Sequence, residues 1–216
     1  MRVPEYWRSK RRRLALVGTE CASCGARLAT ARLVCPQCGR EISPSVHYVF
    51  PSLAAQSAPA KGPRPVITVI IPSYNAASTI RATLSSVVSQ DIREPYEVIV
   101  VDSSNDGTEA IIAKEFRDVL LVHRAEQTDP GTARNLAIAR ASGEVIVCLD
   151  ADCVAPPSWL RRMLAAQRAG HEVVGGAVEN ANSCGLIAWA GYFGEFREFV
   201  PFGEARLVKH VPTCNI

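Results

Sequence analysis

From Val66 onward the chain alternates short β-branched runs with helix-length segments, and this alternation limits the folds open to it. Residues 66–71 form a continuous apolar run, the pattern of a strand buried on both faces. Residues 78–90 read as a helix, and residues 97–101 as a second strand. Asp106 followed by Glu109 has the spacing of a capping box, opening a helix to about Arg117. Residues 119–122 predict a third strand and residues 130–141 a helix that Gly143 terminates. Residues 144–149 predict a fourth strand and residues 156–168 a further helix. Val173 and Val174, ahead of Gly175 and Gly176, predict the start of another strand. The expected fold is α/β: a mostly parallel sheet with helices on both faces and right-handed crossovers. No Gly-x-Gly-x-x-Gly follows the first strand and no Walker loop occurs, which speaks against a dinucleotide oxidoreductase and a P-loop NTPase.

The fourth strand runs straight into Asp150-Ala151-Asp152. Open α/β sheets hold ligands at the carboxyl ends of their strands, so these carboxylates stand where a ligand is expected. Hard oxygen donors suit Mg²⁺ or Mn²⁺, and such an ion holds a diphosphate. Pairs of this kind also cap helices and fill turns, so Asp-x-Asp by itself leaves both readings open.

The first 65 residues have a different character. The net charge of +3 hides an asymmetry: Lys and Arg crowd the front of the chain, while the remainder is net acidic. Two units with different work are expected. Cys21-Ala22-Ser23-Cys24-Gly25 and Cys35-Pro36-Gln37-Cys38-Gly39 are Cys-x-x-Cys knuckles whose four thiolates complete a tetrahedral Zn²⁺ site. A closed Cys₄ site has no open coordination position, so this zinc is expected to be structural. The predicted organisation is a basic arm (1–18), a zinc ribbon (19–42), a Pro/Ala linker (43–65) and the α/β body (66–216). The arm and the ribbon arginines Arg27, Arg32 and Arg40 are suited to phosphates or anionic headgroups, or are simply solvated.

No run of about 18 apolar residues occurs. Residues 183–202 come nearest, interrupted by Glu195, Arg197 and Glu198. The apolar segment after Arg13 is too short for a signal peptide. Four of the eight cysteines have metal spacing, which fits a reducing compartment. The expected location is the cytoplasm, or the inner face of the membrane.

Four segments resemble, in order and spacing, the motifs of family 2 glycosyltransferases over residues 66–180. They are Val69-Ile70-Ile71-Pro72-Ser73-Tyr74-Asn75, Val100-Val101-Asp102-Ser103-Ser104-Asn105-Asp106-Gly107-Thr108, Gly131-Thr132-Ala133-Arg134-Asn135, and Gly143-Glu144 through Leu149-Asp150-Ala151-Asp152. The loop after the second strand is one residue shorter than the commonest family form. The resemblance implies a glycosyltransferase A-type fold and a nucleotide-diphosphate sugar donor, with a UDP-sugar as the default. It also implies inversion at the anomeric carbon. Carried over by position, Pro72 and Tyr74 shape the pocket beside the base, and Asp102 accepts a hydrogen bond from it. Asp150 touches the ribose, or reaches the metal through water. Asp152 binds the Mn²⁺ or Mg²⁺ that bridges the phosphates, and Arg124 contacts base or phosphate. The implied acceptor is an envelope polysaccharide, a glycolipid or a protein.

Simpler roles stand beside these. Asp102 also suits a loop cap, Tyr74 an ordinary half-buried aromatic, and Asp106 a helix cap. Arg134 and Asn135 suit fixing the loop beneath the metal. Cys148 is expected in the core and Cys153 at the surface, neither as a catalytic thiol. His123 has no partner at recognisable spacing.

Residues 211–216 resemble the family's segment beneath the sugar on the acceptor side. In the family an acidic general base follows some tens of residues later. No such motif occurs before Ile216, so no catalytic base is identified. The expectation is a piece of a longer enzyme. Otherwise a second protein supplies the acceptor half, or Glu179, Glu195, Glu198 or Glu204 stands in without motif support. The aromatics of residues 184–207 suit either an acceptor or membrane face, or a helix lacking its packing partner. Two other functions compete: a catalytically incomplete nucleotide-sugar-binding protein that docks partners through the ribbon, and a nucleic-acid-associated zinc protein. Asp150 and Asp152 argue against the latter, because acidic residues repel phosphate backbones unless a metal intervenes.

Overall fold

The computed structural model describes residues 64–181 and 185–216, with three short strands nearer the front: β1 (Val17–Glu20), β2 (Arg27–Leu28) and β3 (His47–Val49). These three pair antiparallel in the order β2-β1-β3. The expected zinc ligands Cys21, Cys24, Cys35 and Cys38 lie outside the described residues, as do most of the basic arm and linker.

The body forms where the sequence alternates. Strands β4 (Ile67–Ser73), β5 (Tyr96–Asp102), β6 (Leu120–His123) and β7 (Val145–Cys148) make one parallel sheet in the order β6-β5-β4-β7. Its central strand β4 is buried on both faces, as the unbroken apolar run requires. Side chains alternate across the sheet. Ile67, Val69, Ile71, Val98, Val100 and Val147 share one core with α1 (Ile80–Val88), α2 (Thr108–Glu115) and α4 (Trp159–Arg168). Ile70, Ile99, Val101 and Cys148 face the other way, against Ala133 and Ala137 of α3 (Pro130–Ile138). Helices therefore cover both faces. The helical faces follow their period: Ile80, Thr83, Leu84 and Val87 in α1, and Trp159, Leu160, Met163 and Leu164 in α4, are all buried.

The strand order reverses beside β4. The chain steps outward from β4 to β5 to β6, then returns to place β7 on the opposite side. A crevice between β4 and β7 at their carboxyl ends is the standard consequence of such a switch. Register fixes what stands there: Ser73 lies beside Asp102, and Asp102 beside His123.

At the opposite end of the sheet, Gly143 fits where no other residue would. A Cβ on it would stand 2.6 Å from the backbone of Ile67 and Thr68. Its N–H donates to Thr68 Oγ1 at 3.0 Å, and that hydroxyl donates to Glu97 Oε1 at 2.6 Å.

Three expectations need correction. The Asp106–Glu109 capping box does not form. Gly107, at φ 91°, is the N-cap of α2, and Asp106 Oδ1 instead accepts from the Thr108 N–H at 3.1 Å, two residues on. Glu109 turns toward His123. Val173 and Val174 form no strand, because the outer edge of β7 is taken by the last residues of the chain. Leu149 bridges Asn215 antiparallel, and Cys148 N–H donates to the Ile216 carbonyl at 2.7 Å. Gly175 and Gly176 pack against Val211 and Asn215, where a Cβ would overlap. His123 has a partner after all, Asp102.

α3 begins as its sequence directs. Asp129 is the N-cap, its Oδ1 accepting from the Thr132 N–H at 3.0 Å, with Pro130 in the first turn. The Thr132 hydroxyl and N–H hold the Asp129 carboxyl below the usual carboxylate range. Asp129→Ala is expected to cost about 1 kcal/mol in urea unfolding. A depressed folded pKa gives stability that is present above the unfolded value and lost as pH falls through the folded one. The gap between wild type and variant should therefore close on acidification.

α5 (Leu186–Phe196) carries the aromatic run expected over residues 184–207. Trp189 stacks on Phe193, and the buried Tyr192 donates its hydroxyl proton to the Val178 carbonyl at 2.7 Å. Leu186 and Ile187 are almost wholly exposed, at 89% and 90%. No helix among the described residues is long and apolar enough to cross a membrane.

Candidate functional site

The carboxyl ends of β4, β5 and β7 carry the polar residues singled out from the sequence. Two loops there are stitched together. Asn75, at φ 50°, donates its N–H to Ser104 Oγ at 2.8 Å, while its Oδ1 accepts from the Asn105 N–H at 3.1 Å. Asp106 Oδ2 accepts from the Ala77 N–H at 3.0 Å, and Thr108 Oγ1 accepts from the Ala76 N–H at 3.1 Å. Asp106 thus joins the two loops, and the bonds from Thr108 and Ala77 keep its carboxyl below the ordinary range. Pro72 is partly buried, and Tyr74 presents its ring to solvent from this braced frame, 46% exposed.

Asp102 ends β5 with no exposed surface. Its Oδ1 accepts from the Ser104 hydroxyl at 2.5 Å, and its Oδ2 lies 3.2 Å from the Ser104 N–H and 3.1 Å from His123 Nδ1. The other ring nitrogen of His123 lies 3.5 Å from Glu109. The partners of Asp102 are therefore protein groups, and a ligand reaches this carboxylate only if Ser104 or His123 gives way. Arg124 follows β6 directly, its N–H donating to the Asp102 carbonyl at 2.8 Å and its residue exposed.

Asp150 and Asp152 stand in the turn after β7. Asp150 is half-buried, and its Oδ1 accepts from Arg134 of α3 at 2.7 Å. Burial pushes the Asp150 carboxyl up, the Arg134 charge pulls it down, and Asp152 pushes it up again, with burial prevailing. Asp152 is exposed, and its carboxylate meets only the Cys153 thiol, at 3.6 Å, among the described residues. One carboxylate is thus fixed by a cation and the other is open. That hard-oxygen pair fits a divalent cation such as Mn²⁺ or Mg²⁺. Three buried polar atoms lack partners at or near this end: Ser73 Oγ, Arg134 Nε and Asn135 Oδ1.

Cys148 is buried in the core, its thiol pushed up to about 11 mainly by burial. The Cys153 and Cys214 thiols act on each other, which raises that of Cys153 and lowers that of Cys214. No sequence pattern links these two cysteines, which lie far apart in the chain. Asn215 lies in the segment 211–216 already matched to the family's acceptor side, but it had no role of its own there. Its Oδ1 accepts from Trp159 Nε1 at 2.9 Å, and its Nδ2 donates to the Ala177 carbonyl at 2.9 Å. It ties β7, α4 and the segment leading to α5 into one wall. Glu179, Glu195, Glu198 and Glu204 are exposed. Among the described residues no hydrogen bond or ion pair links any of them to Asp150 or Asp152, and Glu198 instead faces His210 at 3.7 Å.

Comparison with known proteins bears on the family and the fold. The chain is 38% identical over 122 residues to the glycosyltransferase AglE of Haloferax volcanii, an alignment covering 53% of this chain and 40% of that protein. It is 33% identical over 153 residues to the succinoglycan biosynthesis protein ExoO of Rhizobium meliloti, covering 70% of this chain and 41% of that one. The crystal structure of S. aureus TarS 1-349 in complex with UDP superposes with a TM-score of 0.50 at 28% identity, over 56% of this chain and 37% of that chain. The chain spans less than half the length of the curated relatives it matches. The parallel sheet with flanking helices is that of the glycosyltransferase A-type fold expected from the sequence. The glycosyl transferase family 2 model matches residues 68–213, and the chain belongs to that family.

Proposed function

We propose that the carboxyl end of the sheet binds a nucleoside-diphosphate sugar together with Mn²⁺ or Mg²⁺, as the donor half of an inverting sugar transfer to a polysaccharide, lipid or protein acceptor. The observation that carries this is the placement of Asp150 and Asp152 at the switch between β4 and β7, one paired with Arg134 and the other open. In this reading Asp152 ligates the cation and Asp150 holds the ribose or the hydrated metal. A divalent cation there neutralises the charge that grows on the departing diphosphate. The loops carrying Tyr74 and Ser104 frame the base, with Pro72 beneath and Arg124 at the rim. UDP is the favoured carrier, in keeping with the UDP complex of TarS.

The wall built by Asn215 and α5 is assigned to the acceptor side. The Tyr192 hydroxyl binds Val178, and the neighbouring Gly176 N–H donates to the Asn215 carbonyl at 3.1 Å. The exposed apolar side chains of α5 suit a lipid-linked or membrane-surface acceptor. We propose a location in the cytoplasm or at the inner face of the membrane, and a structural Zn²⁺ for the Cys₄ ribbon.

Calorimetric titration with UDP, GDP and dTDP, each with and without Mn²⁺, tests the donor half. UDP is expected to bind most tightly, and more tightly with the metal than without it. Equal affinity with and without Mn²⁺ would refute the metal-dependent donor site.

A further inference from the structure

The carboxylate turn is held from beneath by one polar stripe on α1. Thr83, Ser86 and Gln90 recur at the spacing that puts them on one face of a helix, Gln90 lying just past its end. Thr83 is fully buried, and its hydroxyl donates to the Ala151 carbonyl at 2.9 Å. Ala151 is the residue between the two aspartates. Ser86 Oγ accepts from the Ala155 N–H at 3.0 Å and donates to the Thr83 carbonyl at 2.7 Å. Gln90 Nε2 donates to the Pro156 carbonyl at 2.9 Å, and its Oε1 accepts from the Leu160 N–H at 2.9 Å. Four hydrogen bonds therefore run from one helix face into residues 151–160, at the turn, the loop behind it and the first turn of α4.

The loop needs these bonds for a simple reason. Residues 153–156 form neither helix nor strand, so their backbone groups have no ladder to join. Ala151 and Ala155 are buried, where an unpaired amide group is costly. The α1 side chains supply the missing partners. Fixing the Ala151 carbonyl inward fixes the peptide plane between Ala151 and Asp152. That plane sets where Asp152 leaves the backbone, and hence where it aims.

We infer that Thr83, supported by Ser86 and Gln90, is a positioning residue for the divalent cation, acting through the Ala151 carbonyl without touching metal or nucleotide. This rests on the metal-dependent donor site proposed above. Partners behind a metal's ligands typically set affinity by about 10–100-fold.

Thr83→Val keeps the shape and removes the hydroxyl, while Thr83→Ser restores it. Two readouts are needed, on the full chain. Hydrogen exchange should be faster over residues 151–160 in Thr83→Val, unchanged in β4 and β5, and near wild type in Thr83→Ser. In UDP titrations the Mn²⁺ concentration for half-maximal binding should rise roughly tenfold in Thr83→Val, with metal-free UDP affinity unchanged and Thr83→Ser close to wild type. If Thr83→Val fails to fold, Ser86→Ala, which removes the acceptor of the Ala155 N–H, is measured in the same way. Unchanged exchange, an unchanged Mn²⁺ requirement, or a Thr83→Ser variant as impaired as Thr83→Val would each overturn the inference. Wild type binding UDP without regard to Mn²⁺ would instead overturn the donor-site reading and, with it, the assigned metal role. Exchange would then decide separately whether α1 holds the loop.

Discussion

Asp152→Ala is expected to remove the proposed Mn²⁺-dependent nucleotide binding while leaving the fold intact. The side chain is exposed and its contact among the described residues is a thiol at 3.6 Å, so its loss removes little native packing. Thermal unfolding should shift by no more than a surface substitution does, within about 0.5 kcal/mol. The effect on binding is of another order. A direct ligand contributes at least as much as the outer partners that set metal affinity by about 10–100-fold, so UDP affinity at a fixed Mn²⁺ concentration should fall by about a hundredfold or more. Residual metal-free affinity should stay at the wild-type level. Calorimetry of wild type and variant, with and without Mn²⁺, reads both quantities. A variant that retains the metal-dependent increment would remove Asp152 from the site.

Gly143→Ala carries the largest expected loss of stability. The added Cβ would meet the Ile67 and Thr68 backbone at 2.6 Å and the Thr68 hydroxyl at 2.8 Å. Backbone of β4, a strand paired on both sides, cannot swing aside as a side-chain tip can. Relief must come from shifting Gly143 itself, which breaks its N–H bond to Thr68 and disturbs the Thr68–Glu97 pair behind it. Overpacking of this kind costs about 1–3 kcal/mol, and the lost hydrogen bonds put Gly143→Ala at or above the upper end. At this chain length that lowers Tm by roughly 6–12 °C. Calorimetric melting within about 1 kcal/mol of wild type would show that the sheet yields more readily than its contacts imply.

The parts of this protein legible in the sequence are those written in local pattern. β4 and β5 showed as β-branched runs because both faces of these central strands are covered, so no polar alternation interrupts them. Asp102 and Asp150 were found because each directly follows or ends such a run. What stayed hidden depends on partners brought together by the fold. The His123–Asp102 contact spans 21 residues and exists because β5 and β6 are neighbours in register. The Arg134–Asp150 pair required α3, packed on β4 and β5, to reach the turn after β7, although a supporting role for Arg134 under the turn was expected. Val173 and Val174 had the local character of a strand, but the edge they would have joined belongs to Asn215 and Ile216. The capping box failed for a local reason: Gly107 takes a left-handed conformation at the cap, and Asp106 bonds two residues on rather than three. The α1 stripe carries ordinary polar residues at helical spacing, and its meaning lies in the loop it meets.

Metal and nucleotide are proposed to meet at the carboxyl ends of β4, β5 and β7. Paramagnetic broadening by Mn²⁺ in the presence of UDP, read amide by amide from nuclear magnetic resonance spectra, locates that meeting directly. Broadening is expected at Tyr74, Ser104 and residues 150–153, with Gly143 and Tyr96 at the far end of the sheet left sharp. Broadening centred elsewhere, or equal broadening with and without UDP in both wild type and Asp152→Ala, would contradict it.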